Sequence, residues 1–451
     1  MKKGLEYTVR IEEMEFPNRA YGIVEDTKVY VKNAFKGQLL KVRITKKRRK
    51  KVEGKLIEVL EKAPCEIESK CKHFENCGGC SFQNIPYKEQ IDMKSYLIQK
   101  LFKKHGLEMG EYEGILASPK SSEYRNKMEF SFGDSEKNGP LCLGMHKRES
   151  FYDIVNVDEC QLVDEDYRKL LIKTREYFSK IDATYFHRKT HKGYLRHLVV
   201  RKGDKTEEIM VNLITTSQMK LDLTPWAEEI KALPLKNELK CILHTENNAL
   251  SDTVQAENIE VLYGEPLIQE SLLDLKFNIS PFSFFQTNSL GAEVLYKKVR
   301  EYAGDLKDKT VFDLYSGTGT IAQIMAPVVK EVVGIEIVEE AVVAAKENAK
   351  LNNLNNCTFI AGDVLEKVSS IKQVPDVIVL DPPRAGIHPK AIQKILKYNP
   401  KTFVYVSCKA SSLVEDIPHF LEAGYKVQKT CLVDMFPGTG HVECVVLMSK
   451  A

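Results

Sequence analysis

From Lys309 to the C-terminus the chain alternates apolar strand-like runs with helix-length stretches, and that alternation permits few architectures. Strands are expected at 310–315, 331–336, 357–360, 374–380 and 402–407, with helical segments at 321–328, 339–351, 389–398 and 411–423. Strands separated by helices run parallel and cross over with one hand, so the expectation is α/β: a doubly wound, Rossmann-like sheet. Two further runs, 427–433 and 441–447, read as a hairpin pair closing the sheet. Ligands in such sheets bind outside the carboxyl ends of the strands, so the residues after each strand carry the functional reading.

The first strand runs through Asp313 into Tyr315-Ser316-Gly317-Thr318-Gly319. Glycines at that turn let the backbone approach a ligand, but a dinucleotide fingerprint wants a third glycine where Thr320, Ile321 and Ala322 stand. Glu336 ends the second strand, about 20 residues on, where an acidic residue accepts ribose hydroxyls. Asp363 follows the third strand and suits an adenine amino group. This set fits S-adenosylmethionine better than NAD, because no pyrophosphate needs cradling. The fourth strand ends in Asp381-Pro382-Pro383-Arg384, whose prolines stiffen the loop at the ligand edge. An aromatic in place of Arg384 would suit methylation of an exocyclic amine; the arginine argues against it.

The fifth strand, Thr402-Phe403-Val404-Tyr405-Val406-Ser407, stops on Cys408. A lone cysteine at a strand end is ordinarily packing. Here it is aimed at the same edge as Gly317 and Asp381, and Glu443 follows the loop Pro437-Gly438-Thr439-Gly440 nearby. A thiol, a carboxylate and a sulfonium donor together suit methylation at carbon 5 of uracil, which is a poor nucleophile. Addition of Cys408 to C6 makes C5 electron-rich, and Glu443 is placed to remove the C5 proton afterwards.

Upstream, Cys71, Cys77 and Cys80 fall within ten residues, with Gly78 and Gly79 in the last turn and Cys160 as the preferred fourth ligand. Paired C-x2-C knuckles are absent, so a [4Fe–4S] cluster is favoured over zinc. Residues 124–130 and 195–201 alternate basic with apolar residues and are expected to form a half-buried sheet with a cationic face. Phe284, two residues before Gln286, suits a pocket that stacks and hydrogen-bonds a planar group.

Five short strands at 5–11, 20–24, 29–31, 39–44 and 55–60 suggest a small OB-like barrel. Residues 1–62 hold 17 Lys and Arg against 9 Asp and Glu, although the whole chain is only +3. Six consecutive basic residues, 46–51, lie at a strand-to-strand turn, where they would track a phosphate backbone. The barrel resembles the TRAM domain. The N-terminus lacks a signal-like apolar segment and no run approaches membrane-spanning length, so a cytoplasmic, membrane-free protein is expected.

Asp381-Pro382-Pro383-Arg384, Ser407-Cys408 and His441-Val442-Glu443, with Phe284 and Gln286 upstream, resemble the RNA uracil-5-methyltransferase family. The added barrel and four cysteines resemble its 23S ribosomal RNA branch. The resemblance implies S-adenosyl-L-methionine contacts at Gln286, Tyr315, Glu336 and Asp381, Cys408 as nucleophile and Glu443 as base. It further implies Phe284 as platform for the flipped uracil, a cluster on Cys71, Cys77, Cys80 and Cys160, and 23S ribosomal RNA as partner of a monomer. Ala322 and Ala385 depart from the family pattern without touching the catalytic pair. Residues 1–62 are expected as barrel, 63–290 as a central α+β domain and 291–451 as the methyltransferase domain. A methylthiolating enzyme would need a C-x3-C-x2-C triad, which is missing; transfer RNA as substrate and a non-enzymatic RNA-binding assembly factor stay open.

Overall fold

The computed structural model describes residues 1–48, 51–251 and 256–450. Six N-terminal strands form the first sheet: β1 (Glu6–Arg10), β2 (Glu13–Glu15), β3 (Arg19–Val24), β4 (Thr27–Lys32), β5 (Leu39–Arg48) and β6 (Lys51–Glu61), in the order β1-β5-β6-β4-β3-β2. The sheet curls so that Val9 and Arg10 at the end of β1 come against Gly22 of β3. A Cβ on Gly22 would stand 2.0 Å from the Arg10 carbonyl oxygen, so only glycine permits this closure. The basic run is not simply a turn. Lys46, Lys47 and Arg48 extend β5 and Lys51 opens β6, while Arg49 and Lys50 lie outside the described residues.

A helix, α1 (Tyr87–Lys104), and a strand, β7 (Glu111–Leu116), precede the second sheet. That sheet contains β8 (Lys127–Gly133), β9 (Cys142–His146), β10 (Ile154–Asn156), β11 (Leu195–Lys202), β12 (Glu208–Thr215), β13 (Glu238–Glu246) and β14 (Asn258–Gly264), ordered β10-β9-β8-β11-β12-β13-β14. Helices α2 (Glu165–Lys180) and α3 (Thr224–Lys231) cover one face through Leu170, Phe178, Trp226 and Ile230. The expected cationic face is overturned on β11, which is buried along its whole length. Arg196 donates to the carbonyls of Asn247 and Ala249, and Arg201 to those of Ser280 and Ser283. Both guanidiniums are thus spent on backbone carbonyls inside the fold rather than turned to solvent. A hairpin, β15 (Ile268–Leu272) and β16 (Leu275–Ile279), leads into α4 (Ser289–Ala303).

The remaining strands and helices alternate as expected: β17 (Thr310–Leu314), α5 (Thr320–Met325), β18 (Glu331–Glu336), α6 (Glu339–Leu351), β19 (Cys357–Ala361), α7 (Val364–Lys367), β20 (Val377–Leu380), α8 (Pro389–Leu396), β21 (Thr402–Ser407), α9 (Ala410–Glu422), β22 (Tyr425–Val433) and β23 (Glu443–Lys450). The sheet order is β19-β18-β17-β20-β21-β23-β22-β7. β17 through β21 are parallel, and β23 inserts antiparallel between β21 and β22. Successive residues of β21 serve opposite cores. Phe403 and Tyr405 pack with α8 and α9, whereas Val404 and Val406 face α4 and α5. Burial on both faces is why the stretch reads as an unbroken apolar run.

Two elements from the span 63–290 belong to this sheet: β7 pairs with β22, and α1 packs against α9 through Ile98 and Phe102. Lys94 of α1 and Asp434, both essentially fully buried, form an ion pair at 2.7 Å. No helix among the described residues is long and apolar enough to cross a membrane. Lys94→Ala leaves Asp434 as an uncompensated buried charge and is expected to destabilise the protein by about 3–5 kcal/mol. Urea denaturation reads this as a lower midpoint, and Lys94→Met with Asp434→Leu should recover much of the loss.

Candidate active site at the sheet edge

The order of β17, β18 and β20 creates a switch point: chain from β17 leaves toward β18 on one side, and β20 lies on the other. A crevice opens there at the carboxyl ends. Tyr315 follows β17 with φ +68°, a left-handed conformation that turns the chain sharply into Gly317 and Gly319. A Cβ on Gly319 would stand 2.5 Å from the Phe359 ring, whereas one on Gly317 would meet nothing within 4 Å. Gly319 is thus needed for packing, and Gly317 borders open space. Glu336 is held by two backbone N–H groups, Gly317 on Oε2 and Val338 on Oε1, each at 2.9 Å. A carboxylate has about four acceptor positions, so capacity for a diol remains. Asp363 caps α7, with Oδ1 accepting from the Leu365 N–H at 2.7 Å.

Cys408 and Glu443 come together through strand register. Ser407 of β21 opposes Cys444 of β23 as the last pair of the ladder, and the next residue on each side, Cys408 and Glu443, lies close enough for the Glu443 charge to act on the Cys408 thiol. Burial pushes Glu443 up to about 8; Asp381 adds to the rise and Arg384 opposes it. Asp381, at the end of β20, is pushed by burial up to about 7. Cys408 is half-buried, and burial raises its thiol to about 11, reinforced by Glu443 and Asp381. The hydrogen-bonded Arg384 guanidinium favours the thiolate. Without substrate, then, Cys408 rests as a thiol at neutral pH.

Two participants escaped the sequence reading. Asp313, buried in β17, accepts from the Ala322 N–H at 2.9 Å, and burial together with Asp381 raises it to about 8. Its signal was an acid inside an apolar strand, a placement rare without a purpose. Tyr296 of α4 is buried near Asp381, Asp313 and Glu443 and hydrogen-bonds Gln286, with its phenol raised well above its ordinary value. Three buried acids around one crevice make a site suited to a ligand carrying positive charge.

The loop holding Phe284 and Gln286 is fixed from three sides. Arg201 donates to Ser280 and Ser283, Asn126 Nδ2 to the Gln286 carbonyl at 2.9 Å, and Thr318 Oγ1 to the Phe284 carbonyl at 3.3 Å. Phe284 nonetheless stays 68% exposed, a large ring offered to solvent beside the glycine turn.

Cys71, Cys77, Cys80 and Cys160 line one cavity of about 150 Å³ with His73, Gln83, Arg125 and Met145. Burial pushes Cys80 up to about 12 and Cys160 to about 11, and each is raised further by neighbouring thiols of the set. The Gly79 N–H approaches Cys77 Sγ at 3.4 Å, and Gln83 Nε2 approaches Cys80 Sγ at 3.5 Å. Among the described residues, no three His, Cys, Asp or Glu side chains are grouped so as to hold a single metal ion.

A doubly wound sheet with an acidic crevice at its switch point, a thiol and a neighbouring carboxylate defines a group-transfer enzyme. The profile of the tRNA (uracil-5-)-methyltransferase family matches residues 86–451. An uncharacterized RNA methyltransferase of Clostridium tetani is 52% identical over 446 residues, covering 99% of this chain and 98% of that relative. Another, from Caldanaerobacter subterraneus subsp. tengcongensis, is 47% identical over 451 residues and the full length of both chains. The crystal structure of Pyrococcus abyssi tRNA (uracil-54, C5)-methyltransferase with S-adenosyl-L-homocysteine superposes with a TM-score of 0.77 at 26% identity, over 98% of this chain and 100% of that one. The chain belongs to the tRNA (uracil-5-)-methyltransferase family of RNA methyltransferases, which use S-adenosylmethionine.

Because Glu443 titrates near 8 when folded and near 4.5 when unfolded, its stability contribution is complete below about 4.5 and is lost as pH rises through 8. Glu443→Gln should therefore gain on the wild type by about 1.4 kcal/mol per pH unit between roughly pH 5 and 8 in denaturation experiments. Alkylation of Cys408 by iodoacetamide should accelerate with pH toward 10. At pH 9 it should run several-fold faster in Glu443→Gln and slower in Arg384→Met.

Proposed function

We propose that this protein methylates carbon 5 of a uridine in 23S ribosomal RNA. The observation that carries this reading is the register placing Cys408 close to Glu443 and Asp381 at the ligand edge of the sheet. Phe284 stacks the extruded uracil, and Cys408, after giving its thiol proton to solvent to form the thiolate that the Arg384 guanidinium favours, adds through Sγ to C6, sending the electron pair to C5. When bound, S-adenosylmethionine supplies the methyl group as an electrophile for C5. Glu443 then takes the C5 proton, the C5–C6 double bond re-forms and the thiolate leaves. Gln286, Tyr315, Gly317, Glu336, Asp363 and Asp381 are the proposed cofactor contacts. A bound sulfonium would draw Asp313, Asp381 and Glu443 back toward the ionised form that burial disfavours, and each ionised carboxylate would in turn favour the cofactor's positive charge.

The cysteine cavity is proposed to hold a [4Fe–4S] cluster on Cys71, Cys77, Cys80 and Cys160. Support comes from four thiols around one cavity, of which Cys77, Cys80 and Cys160 are made costly to ionise by burial without a compensating positive centre, and from Gly79 and Gln83 donors aimed at sulfur. Methyl transfer needs no electrons, so the cluster is structural or RNA-facing. The curled N-terminal sheet, residues 1–62, is proposed as a TRAM-like RNA-binding module, 63–290 as the cluster-bearing part and 291–451 as the catalytic part. The barrel and the cysteines favour ribosomal RNA. The similarity to the tRNA enzyme over nearly the whole chain favours transfer RNA as the second reading.

Mass mapping of 5-methyluridine in ribosomal and transfer RNA from a deletion strain decides between the two, with loss from 23S ribosomal RNA expected. Cys408→Ala should abolish methylation while RNA binding persists. Glu443→Gln should accumulate a covalent protein–RNA adduct visible on denaturing gels, because the C5 proton is no longer removed. RNA affinity should fall steeply with salt, and neutralising residues 46–51 should flatten that dependence.

A further inference from the structure

The loop joining β9 to β10, residues 147–153, carries two aromatic rings into solvent: Phe151 is 66% exposed and Tyr152 48%. The loop itself is well ordered by its hydrogen bonds. Lys147 N–H donates to the Asp153 carbonyl at 2.8 Å, and Ser150 Oγ accepts from the Asp153 N–H at 3.2 Å. Full burial of a Phe side chain is worth roughly 1.5–3 kcal/mol, and this fold forgoes it at the tip of a fixed loop. Exposed rings so held are available to a partner.

A second loop, tipped by His187-Arg188-Lys189-Thr190-His191-Lys192, supplies cations to these rings. Its turn is closed by His187 and Lys192, whose backbones bond at 2.8 Å. The Arg188 guanidinium lies 4.9 Å from the Phe151 centroid and donates to the Phe151 carbonyl, and Lys189 Nζ lies 4.2 Å from the Tyr152 centroid. The two rings pack edge to face at 5.4 Å. The acid nearest the barrel, Glu149, pairs with Lys55 of β6 at 3.4 Å, which joins this patch to the basic N-terminal sheet.

We propose that Phe151 and Tyr152, with Arg188 and Lys189, form a stacking platform for single-stranded RNA flanking the target uridine. The proposal rests on RNA being the substrate, and adds a second contact site away from Phe284. Aromatic faces beside cations are the chemistry that binds unpaired bases and their phosphates without reading sequence. A protein partner would want a larger continuous apolar surface than two rings amid Lys, Arg and His.

The platform also lies near the catalytic loop. The Gly78 N–H donates to the His146 carbonyl at 2.8 Å, at the platform's base, and the Ser81 N–H donates to the Gly438 carbonyl at 2.9 Å. Gly78 and Ser81 are at most about 11 Å apart along the chain. This backbone path ties the base of the platform to the loop that precedes Glu443.

The test uses the full-length protein with fluorescein-labelled RNA of about 12 nucleotides, single-stranded or as a duplex, read by fluorescence anisotropy over a salt series. Phe151→Ala/Tyr152→Ala should weaken single-strand binding by roughly 10-fold or more, leave duplex binding nearly unchanged and keep the salt dependence. Lys189→Ala should reduce the single-strand salt slope by about 0.7. Calorimetric binding of S-adenosyl-L-homocysteine checks that each variant is folded. If the wild type methylates RNA yet the aromatic variant binds the single strand equally well, the platform is overturned. Equal loss on the duplex overturns it too, since stacking would not be the cause. A wild type that methylates no RNA instead removes the reading on which the platform rests.

Discussion

The buried Lys94–Asp434 ion pair is the contact around which the rest of the molecule is assembled. Asp434 stands just past β22, at the start of the loop that returns as β23, and Lys94 comes from a helix more than three hundred residues earlier. Lys94 also donates to the Phe436 carbonyl, and Gln90 from the same helix accepts from the Gly438 N–H. Tyr124 reaches the Pro437 carbonyl and Asn288 the Met435 carbonyl. A segment of a few residues thus receives bonds from α1, from Tyr124 in the segment leading into β8 and from the cap of α4. Two buried charges at this junction are tolerable only while both are present, which makes the junction all-or-none.

Its consequence is the position of Glu443. The loop can deliver β23 between β21 and β22 in one register only, because a slip by one residue would turn Val445 and Cys444 to the wrong faces of a sheet covered on both sides. In that register Glu443 comes beside Cys408. Carboxylate and thiol are then held at the rim of the sheet by its two cores rather than by a flexible loop.

The cysteine-lined cavity and the cofactor crevice are joined by a short rigid path. The Arg125 N–H bonds the Leu162 carbonyl, two residues after Cys160, and the next residue, Asn126, bonds the Gln286 carbonyl and Ser289. Ser289 in turn bonds the buried Glu270. What was expected from sequence as a half-buried strand with a cationic face begins, at Arg125 and Asn126, as the scaffold that fixes the Phe284 loop. Arg201 behaves likewise: a charged residue in a strand pattern was read as exposed, whereas tertiary contacts spend its guanidinium on backbone carbonyls inside the fold.

The sequence by itself determined the alternating sheet, its ligand edge and the residue types offered there, because period and strand-end position follow from local patterning. Cys408, Asp381 and Glu336 could be placed at strand termini, and Glu443 just after a glycine-rich loop, from that patterning alone. Tertiary structure alone decided that Cys408 meets Glu443, since antiparallel insertion of β23 depends on contacts hundreds of residues apart. It alone gathered Cys160 with Cys71, Cys77 and Cys80, surrounded Tyr296 and Asp313 with acids, and set Phe151 and Tyr152 beside Arg188 and Lys189. Proximity between distant segments, and the burial that raises a carboxyl to about 8, belong to packing, and packing leaves no periodic trace in the chain.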